Sequence, residues 1–600
     1  MGSGRHMYQL EVPGGTLTVS SGAGMEILAD DANELRLRAD GGLPVVLRFE
    51  ISGTELLVGL GERFGQLEQT GRRWEAAITD LLHGHPEDTY CYVPFLLSSA
   101  GYGVLLETSA RALWDLKATD PGVWSVSVAA SSFQLRVFRG HPKEMIAAAT
   151  SVIGRPPLAP PWAYGVWKTT LSGTEAVLSE ARALIEADIP VTACWTYDYY
   201  DEATNTGCGL SGSYPSGAYP NLADLNDRLH DLGYRVLGYV QPAVFVGSEP
   251  FDAASRGGYL VHRADGGGPH LFPYNNPKLR PDIPWFSEPG AAYIDMTNPD
   301  ARSWFQNTLQ SALDMGFDGW MQDMGEHLGD RAKLADGSLG AAARNRYAEL
   351  YHQAAYEVWS HSKDITVFAR SGALGSIGKV NAMWPGDQHA DWTSDRGLPS
   401  VIPAGLSIGL AGVSAWGPDI GGLIDGRDGG AGVRDEELWI RWCQYGALTP
   451  IMRDHLGFKY AGHAIDMWSS DRTVGIFRQY AQLHLTLFPY LWRLAREARD
   501  SGIPILRALL IEYPDHPEAW SINDQYLLGA DLLVAPVTVK SAVVRKIWFP
   551  PGVWISWWDD TRWEGPGWRE VPAPLEQIPL FRREGGRVEL SDNPDRTLGM

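Results

Sequence analysis

The spacing of apolar positions changes along the chain and divides it into three parts. Up to about Arg155, apolar and polar residues alternate, as in the segment from Leu35 to Arg38, and glycines are frequent. A period of two is typical of half-buried antiparallel strands, so the pattern predicts an N-terminal β-sandwich over residues 1–155. The proline-rich segment 155–161 offers few backbone donors and marks the boundary.

Short apolar runs alternate with helical patterns over residues 156–503, which we predict to form the second part. The segment 174–187 places Val177, Ala181 and Leu184 on one helical face, and similar stripes recur between later runs. Eight runs are candidate strands, at residues 162–167, 193–198, 236–242, 317–323, 365–370, 381–387, 411–419 and 446–453. Eight alternating units favour a (β/α)8 barrel over an open doubly wound sheet, because no glycine fingerprint of a dinucleotide site follows any run.

Two segments depart from this alternation. The longest insertion, at about residues 243–291, lies between the third and fourth predicted strands and is rich in Gly, Pro and Asn. Such a composition predicts a loop excursion over the barrel mouth. After Ile503, strand-like runs such as 526–528 and 532–535 return, so we predict that residues 504–600 form a small C-terminal β-sandwich.

Polar residues stand at the carboxyl ends of the predicted barrel strands. In this fold those ends converge on one pocket, whereas the opposite ends serve stability. In chain order the polar residues are Lys168, Asp198, Gln241, Asp323, Arg370, Asp387, Asp419, Arg453, Asp454 and His455. We therefore expect them to surround a single site.

Two of these acids have the setting of a catalytic pair. Asp323 follows the apolar run 317–322, and Asp387 follows Trp384 after a Pro-Gly step. Hydrolysis of an acetal needs one carboxylate to attack or to stabilise the cation, and a second carboxyl group to protonate the leaving oxygen. Burial against Trp384 would raise the pKa of Asp387 and keep it protonated, while Asp323 would stay ionised as the nucleophile. Either acid alone is more simply interpreted as a turn or cap residue; together, at the ends of strands four and six, they favour catalysis.

Composition favours a small carbohydrate or glycoside as the ligand. The 24 Trp and 24 Tyr are a surplus, and aromatic faces stack on sugar rings. A net charge of −22 argues against a nucleic-acid partner, and no 18-residue apolar run is present to span a membrane. No signal peptide is apparent, so we expect a cytoplasmic protein. The first residues have the character of an expression leader, which leaves an original signal open, and a homo-oligomer also stays open.

Metal binding has little support in the sequence. The four cysteines show no metal-ligand spacing such as C-x-x-C, and we expect them to be buried and reduced. His83 and His85 are close together but stand in a predicted loop without a third ligand. We therefore predict that the protein uses neither a metal nor a cofactor.

Five motifs resemble glycoside hydrolase family 31. Residues 320–326, Trp-Met-Gln-Asp-Met-Gly-Glu, are similar to the family's nucleophile motif W-x-D-M-x-E with one extra residue. Residues 384–387, Trp-Pro-Gly-Asp, are similar to its acid/base motif W-x-G-D. Further matches are residues 59–65, 295–299 and 453–455. The motifs follow one another in order along most of the chain, so the resemblance is specific.

The resemblance implies a retaining α-glycosidase that hydrolyses terminal α-linked glycosides. In the family, the residue in the place of Asp323 forms a covalent glycosyl intermediate, and the residue in the place of Asp387 acts as acid and then as base. The resemblance also assigns sugar contacts to Asp198, Arg370, Trp384, His455 and Trp285. Retention implies two carboxyl groups about 5–5.5 Å apart. A transglycosylase uses the same catalytic pair, and a catalytically inactive binding protein is disfavoured because both acids are present.

The sugar is less well defined by the motifs. Segments 386–388 and 419–422 are shared with the sulfoquinovosidase branch of the family. That branch holds a sulfonate with an Arg and a Trp after the second strand and with a Tyr after the paired glycines. Here the loop 207–213 has neither, and Leu423 follows the glycines. We therefore expect a neutral α-glucoside or related α-hexoside, with sulfoquinovosides as the alternative if a cation such as Lys168 supplies another clamp.

Overall fold

Two antiparallel sheets form the N-terminal part of the protein. This computed structural model describes residues 7–12, 15–20, 25–30, 34–40, 44–51, 54–80, 88–198, 217–272, 290–424, 434–455 and 465–592. The first sheet has the spatial order Met7–Val12, Gly15–Ser20, Val45–Ile51, Val123–Val128, Ala112–Asp120 and Arg72–Glu75. The second has the order Met25–Asp30, Glu34–Asp40, Ser132–Arg139, Tyr102–Glu107, Phe95–Ser98 and Leu57–Gly59. Residues of both sheets, such as Phe49, Trp124 and Val104, share one buried core, which confirms the predicted β-sandwich.

Eight parallel strands follow and form the barrel. In chain order they are Val166–Thr169, Ala193–Trp195, Arg235–Val240, Gly319–Gln322, Thr366–Ala369, Ala382–Met383, a divided seventh strand (Ala415–Trp416 and Asp419–Ile420) and Met452–Asp454. Each strand pairs in parallel with its neighbours, and the eighth pairs with the first. The predicted (β/α)8 barrel is confirmed, although its first strand begins later than expected because Pro161–Tyr164 forms a 3-10 helix.

The seventh strand closes the barrel by changing partner along its length. Its first half, Ala415–Trp416, pairs with the sixth strand, and its second half, Asp419–Ile420, pairs with the eighth. Gly417 lies between the halves, where a Cβ atom would stand 2.2 Å from the backbone oxygen of Ile451. Only glycine allows two backbones to approach so closely. This step places Asp419 at the carboxyl end of the barrel.

Helices alternate with the barrel strands and continue beyond them. The α-helices are Pro142–Ile153, Thr174–Glu186, Leu222–Asp231, Glu249–Gly257, Pro299–Asp314, Gly340–Trp359, Leu398–Gly409, Glu436–Gly446, Asp471–Thr486, Phe488–Ser501 and Pro517–Ser521. Short 3-10 helices occur at Ile377–Lys379, Met467–Ser469 and Leu509–Ile511. Asn298 caps the helix Pro299–Asp314 by accepting from the N–H groups of Asp300 and Ala301. None of the described helices combines the length and the apolar character needed to cross a bilayer.

The insertion between the third and fourth strands is more regular than predicted. Its described part contains the helix Glu249–Gly257 and a small antiparallel sheet. The strands of that sheet are Ala243–Phe245, Ala291–Tyr293 and Leu271–Phe272, and a separate strand, His262–Arg263, pairs with Ala332–Lys333. The ring of Tyr293 packs against Phe272 at 4.6 Å and against Tyr347 at 4.7 Å. The prediction of a simple loop is wrong for these residues because aromatic side chains of the segment pack into the hydrophobic core of the barrel.

An antiparallel sheet of six strands forms the C-terminal part. Its spatial order is Leu506–Arg507, Tyr526–Leu528, Leu532–Val534, Leu580–Arg583, Val544–Ser556 and Arg562–Pro572. Buried hydroxyl groups join it to the barrel helices: Tyr490 donates to the carbonyl of Leu528 and Tyr526 to that of Leu448, each at 2.8 Å. Within the described ranges this part is one sheet packed on helices, where the sequence predicted a second sandwich.

A buried amide fastens the N-terminal sandwich to the barrel. Asn345, on the helix Gly340–Trp359, accepts from the N–H of Ile78 at 2.9 Å and donates to the carbonyl of Ala76 at 3.0 Å. The amide is 1% exposed, so water does not replace it. This contact holds the chain that leads from the sandwich to the barrel mouth.

The substitution Asn345→Ala is expected to lower the thermal unfolding temperature. It leaves the N–H of Ile78 and the carbonyl of Ala76 buried without partners, which costs about 1–3 kcal/mol for each group. Thermal unfolding followed by circular dichroism measures the effect. Asn307→Ala, on the exposed side of the helix Pro299–Asp314, is the matched control and should unfold like the wild type. An unchanged unfolding temperature for Asn345→Ala would contradict the role of the amide.

Candidate active site

The fourth strand delivers Asp323 into a turn with unusual backbone geometry. Gly319–Gln322 is buried, and the N–H of Asp323 donates to the carbonyl of Val240 at 2.8 Å. Met324 has a φ of 65°, a left-handed conformation that side chains disfavour, and its N–H donates to Asp323 Oδ1 at 2.8 Å. The hydroxyl of Tyr239 donates to Asp323 Oδ2 at 2.6 Å. Both oxygens of the carboxylate are thus held in one orientation.

One guanidinium group connects Asp323 to Asp387. Arg370 follows the fifth strand and is only 4% exposed. Its Nε lies 3.1 Å from Asp323 Oδ1, its Nη1 donates to Asp387 Oδ2 at 3.0 Å, and its Nη2 donates to Glu326 Oε1 at 2.6 Å. The planar fork of arginine fixes all three acceptors around one group. The two acids paired in the sequence are therefore neighbours in space.

Burial sets the proton affinity of Asp387, which follows the sixth strand. Burial raises its pKa to about 7; the charge of Arg370 acts against this rise, and the charges of Asp323 and Asp80 add to it. Trp384, just before it in sequence, is buried as well. A carboxyl group with this pKa is mostly protonated below neutral pH and can donate its proton to a leaving oxygen.

Two residues of the N-terminal part reach this site. The ring of Tyr90 lies beside Arg370, with 4.8 Å between the guanidinium carbon and the ring centre. The ring also fills the space at Gly386, where a Cβ atom would stand 2.2 Å from a ring carbon. The hydroxyl of Tyr90 donates to Asp80 Oδ1 at 3.0 Å, and Asp80 Oδ2 lies 3.0 Å from His327 Nε2. The sequence predicts neither Tyr90 nor Asp80, because only tertiary packing brings them to the barrel.

Three of these side chains have the composition of a metal site. Asp80, Glu326 and His327 offer ligand atoms within 4.8 Å of one another. Each already has a charged partner, because Arg370 donates to Glu326 and His327 pairs with Asp80. We therefore assign the three to an ion-pair network and not to metal binding.

Two residues predicted to contact the sugar, Trp384 and His455, lie near Arg453. Its guanidinium pairs with Asp419 and lies 5.1 Å from the ring centre of Trp195 and 5.6 Å from that of Trp384. His455 packs edge-on against Trp195 at 5.1 Å. Burial, together with nearby cations such as Arg453, lowers the pKa of His455 well below its usual value. A neutral imidazole can both donate to and accept from a sugar hydroxyl.

Asp198 is already engaged by neighbouring residues. It is half-buried; its Oδ2 accepts from the N–H of Ser172 at 2.8 Å and its Oδ1 from the hydroxyl of Tyr219. Ser172 has a φ of 81°, so the carboxylate stabilises a left-handed turn after the first strand. The contact of Asp198 with a sugar stays a prediction.

Lys168 lies beneath the helix Thr174–Glu186, on the outer side of its strand, and not at the rim of the barrel. Its Nζ lies 2.9 Å from Asp454 Oδ2 and 3.1 Å from Glu180 Oε1, and the side chain is fully buried. Burial acts to lower the pKa of Lys168, but the two carboxylates outweigh it and raise the pKa. This cation is therefore committed to a buried ion pair. Trp285 and the loop 207–213 lie outside the described residues, so their roles stay predictions.

A barrel mouth that presents two carboxyl groups on one guanidinium, with buried aromatic rings around them, has the groups that a glycoside hydrolase needs. The family model for the TIM-barrel domain of glycosyl hydrolases family 31 matches residues 156–494. The models for the family's N-terminal galactose mutarotase-like domain and its C-terminal domain match residues 8–115 and 502–586. The chain belongs to glycoside hydrolase family 31, and the resemblance seen in the sequence is confirmed.

Curated relatives of the chain differ in their substrates. It is 29% identical to the sulfoquinovosidase of Agrobacterium fabrum, over 98% of this chain and 91% of that protein. It is 28% identical to alpha-glucosidase 2 of Bacillus thermoamyloliquefaciens, over 89% of this chain and 67% of that protein. A solved structure of a family 31 sulfoquinovosidase from E. rectale in complex with an aza-sugar inhibitor has a TM-score of 0.85 at 24% identity, covering 96% of this chain and 89% of that one. Family and fold are common to these proteins, whereas the sugar varies at similar identity.

The substitution Arg370→Lys is expected to lower kcat/KM on an aryl α-glycoside about 100-fold, because a point charge cannot hold three carboxylates in place and small displacements of reacting groups are costly. Steady-state kinetics measure the loss, and circular dichroism shows whether the variant is folded. Arg346→Lys is the matched control, since Arg346 is 45% exposed and pairs with Asp336 at the surface. Wild-type kinetics for Arg370→Lys would show that the fork is dispensable.

Proposed function

We propose that the protein is a retaining α-glycosidase that removes a terminal α-linked sugar by double displacement. The observation that carries the proposal is the position of Arg370, which lies 3.1 Å from Asp323 and 3.0 Å from Asp387. Because one side chain contacts both carboxyl groups, the two groups are close enough to act on one substrate molecule. A retaining mechanism requires such closeness, with the carboxyl groups about 5–5.5 Å apart.

Asp323 is the proposed nucleophile and Asp387 the proposed acid/base. The carboxylate of Asp323 attacks the anomeric carbon and forms a glycosyl ester, while the bond from that carbon to the leaving oxygen breaks. Asp387 transfers its proton to the leaving oxygen. The ionised Asp387 then removes a proton from water, which attacks the anomeric carbon and releases Asp323. The pKa of about 7 at Asp387 suits a group that alternates between these two states.

A neutral sugar is the proposed substrate. Among the described residues, Arg453 at the carboxyl end of the barrel pairs with Asp419, Lys168 pairs with Asp454, and Arg434 donates to the carbonyl groups of Gly422 and His455. Arg370 is shared among the acids of the site itself. A sulfonate needs donors of its own to replace its hydration. This supports an α-glucoside or a related neutral α-hexoside. Sulfoquinovosides are the second candidate, favoured by the similarity of nearly the whole chain to the Agrobacterium enzyme.

Asp323→Asn is expected to abolish turnover of every α-glycoside, because no covalent intermediate forms. Asp387→Ala should lose about 10²–10⁴-fold on a substrate with a poor leaving group and far less on a glycosyl fluoride, whose leaving group needs no proton. Azide should rescue Asp387→Ala by attacking the intermediate, with an α-glycosyl azide as the product of retention. Normal activity in Asp323→Asn, or a β-azide, would exclude the mechanism.

A panel of aryl α-glycosides of glucose, xylose, galactose and sulfoquinovose tests the sugar. We expect the highest kcat/KM on the glucoside, at least about tenfold above the sulfoquinovoside, since a single mismatched charged group costs more than 1.4 kcal/mol. The reverse order would assign the second candidate. Transfer to a sugar acceptor uses the same residues, and the relatives include a protein named isomaltosyltransferase. Product analysis at high acceptor concentration separates hydrolysis from transfer.

A further inference from the structure

We propose that Asp80, from the N-terminal part of the chain, is a positioning residue that controls the protonation of Asp387 through Tyr90, His327 and Arg370. Asp387 enters here in the acid/base role proposed above, on which this inference rests. Asp80 belongs to no motif and reaches the site only through tertiary packing. Its two carboxylate oxygens lead to Arg370 by two different paths.

The first path passes through Tyr90. The hydroxyl of Tyr90 donates to Asp80 Oδ1 at 3.0 Å. The face of the same ring lies 4.8 Å from the guanidinium carbon of Arg370, within the range of a cation–π contact. The ring also packs at Gly386, the residue before Asp387. A shift of Asp80 is therefore transmitted both to the guanidinium and to the turn that carries the acid/base.

The second path passes through His327. Its Nε2 lies 3.0 Å from Asp80 Oδ2, and its Nδ1 lies 3.1 Å from the hydroxyl of Tyr293 and 3.7 Å from Glu326 Oε1. Glu326 in turn accepts from Arg370 at 2.6 Å. His327, when protonated, compensates part of the charge of Glu326. More of the positive charge of Arg370 then acts on Asp323 and Asp387, the other two acids that it contacts.

Among the described residues, the charged groups that face His327 are Asp80, Glu326 and Arg370; the hydroxyl of Tyr293 lies beside its ring, and Phe272 stacks on the ring at 5.2 Å. Burial acts to lower the pKa of His327, but the hydrogen bond to Asp80 and the charges of both acids raise it, with Arg370 opposing. Asp80 is also one of the charges that raise the pKa of Asp387. Asp80 therefore acts on the acid/base directly, whereas His327 acts on it through Glu326 and Arg370.

The segment that carries Tyr90 is fixed to the barrel by its backbone. The N–H of Gly372 donates to the carbonyl of Tyr90, and the N–H of Tyr92 donates to the carbonyl of Gly372, both at 3.0 Å. The chain before Asp80 is fastened by Asn345, which binds Ile78. These contacts hold Tyr90 and Asp80 in the positions that the two paths require.

The test is the pH dependence of kcat/KM from pH 5 to 9, measured on the best sugar of the panel with a poor leaving group. Asp80→Asn removes a negative charge of the network, so the pH at which activity falls on the basic side should decrease by about half a unit or more. His327→Gln removes a positive charge, so the same limb should move to higher pH. Opposite shifts from two neighbouring substitutions are not expected of residues that only support the fold.

Asp115→Asn is the matched control. Asp115 also belongs to the N-terminal sandwich and accepts from the N–H groups of Ala118 and Thr119, but it is remote from the network. Its pH profile should match that of the wild type.

The proposal would be overturned if the basic limb of the pH profile stays in place in these variants. It would also be overturned if the limb moves in the same direction in Asp80→Asn and His327→Gln. If Asp80→Asn does not fold, His327→Gln decides alone, because a limb that stays or falls contradicts the expected rise. Failure of the underlying function has a different signature. A basic limb that persists in Asp387→Ala would show that the limb does not belong to Asp387, whatever the two other variants do.

Discussion

A buried guanidinium surrounded by three carboxylates is the interaction on which the rest of the site depends. Without Arg370, the acids at positions 323, 326 and 387 would face one another in a medium that screens charge poorly. One cation cannot neutralise three anions, so the remaining imbalance favours a proton. Burial, together with this imbalance, raises the pKa of Asp387 to about 7, and burial also raises the pKa of Glu326. The chemistry proposed for the site follows from this shortage of positive charge.

The order of the barrel strands explains how the three groups meet. The fourth, fifth and sixth strands are neighbours in the sheet, with the fifth in the middle. Asp323, Arg370 and Asp387 follow these strands at their carboxyl ends, so the cation stands between the two acids by topology alone. The glycine at 386 and the left-handed Met324 then aim the side chains inward.

The sequence predicts the features that depend on local periodicity and on the closure of a barrel. It predicts the strands, and the meeting of Asp323 with Asp387, because parallel strand ends must converge. It does not predict Asp80 or Tyr90, whose contacts join residues more than two hundred positions apart. It also predicts that Lys168 lies at the rim, because a strand pattern does not reveal which polar side chain turns toward the surrounding helices and finds partners such as Asp454 and Glu180.

The contact of Tyr90 with Arg370 means that the reactive unit extends beyond the barrel. A domain that recombines with other domains during evolution would normally contain all the residues of its own active site. Here a change in the sandwich can alter the electrostatics of the barrel mouth without replacing any barrel residue. The N-terminal part is thus an additional source of heritable variation in activity, and a recombined enzyme would need the segment around residues 76–92 to be inherited together with its barrel.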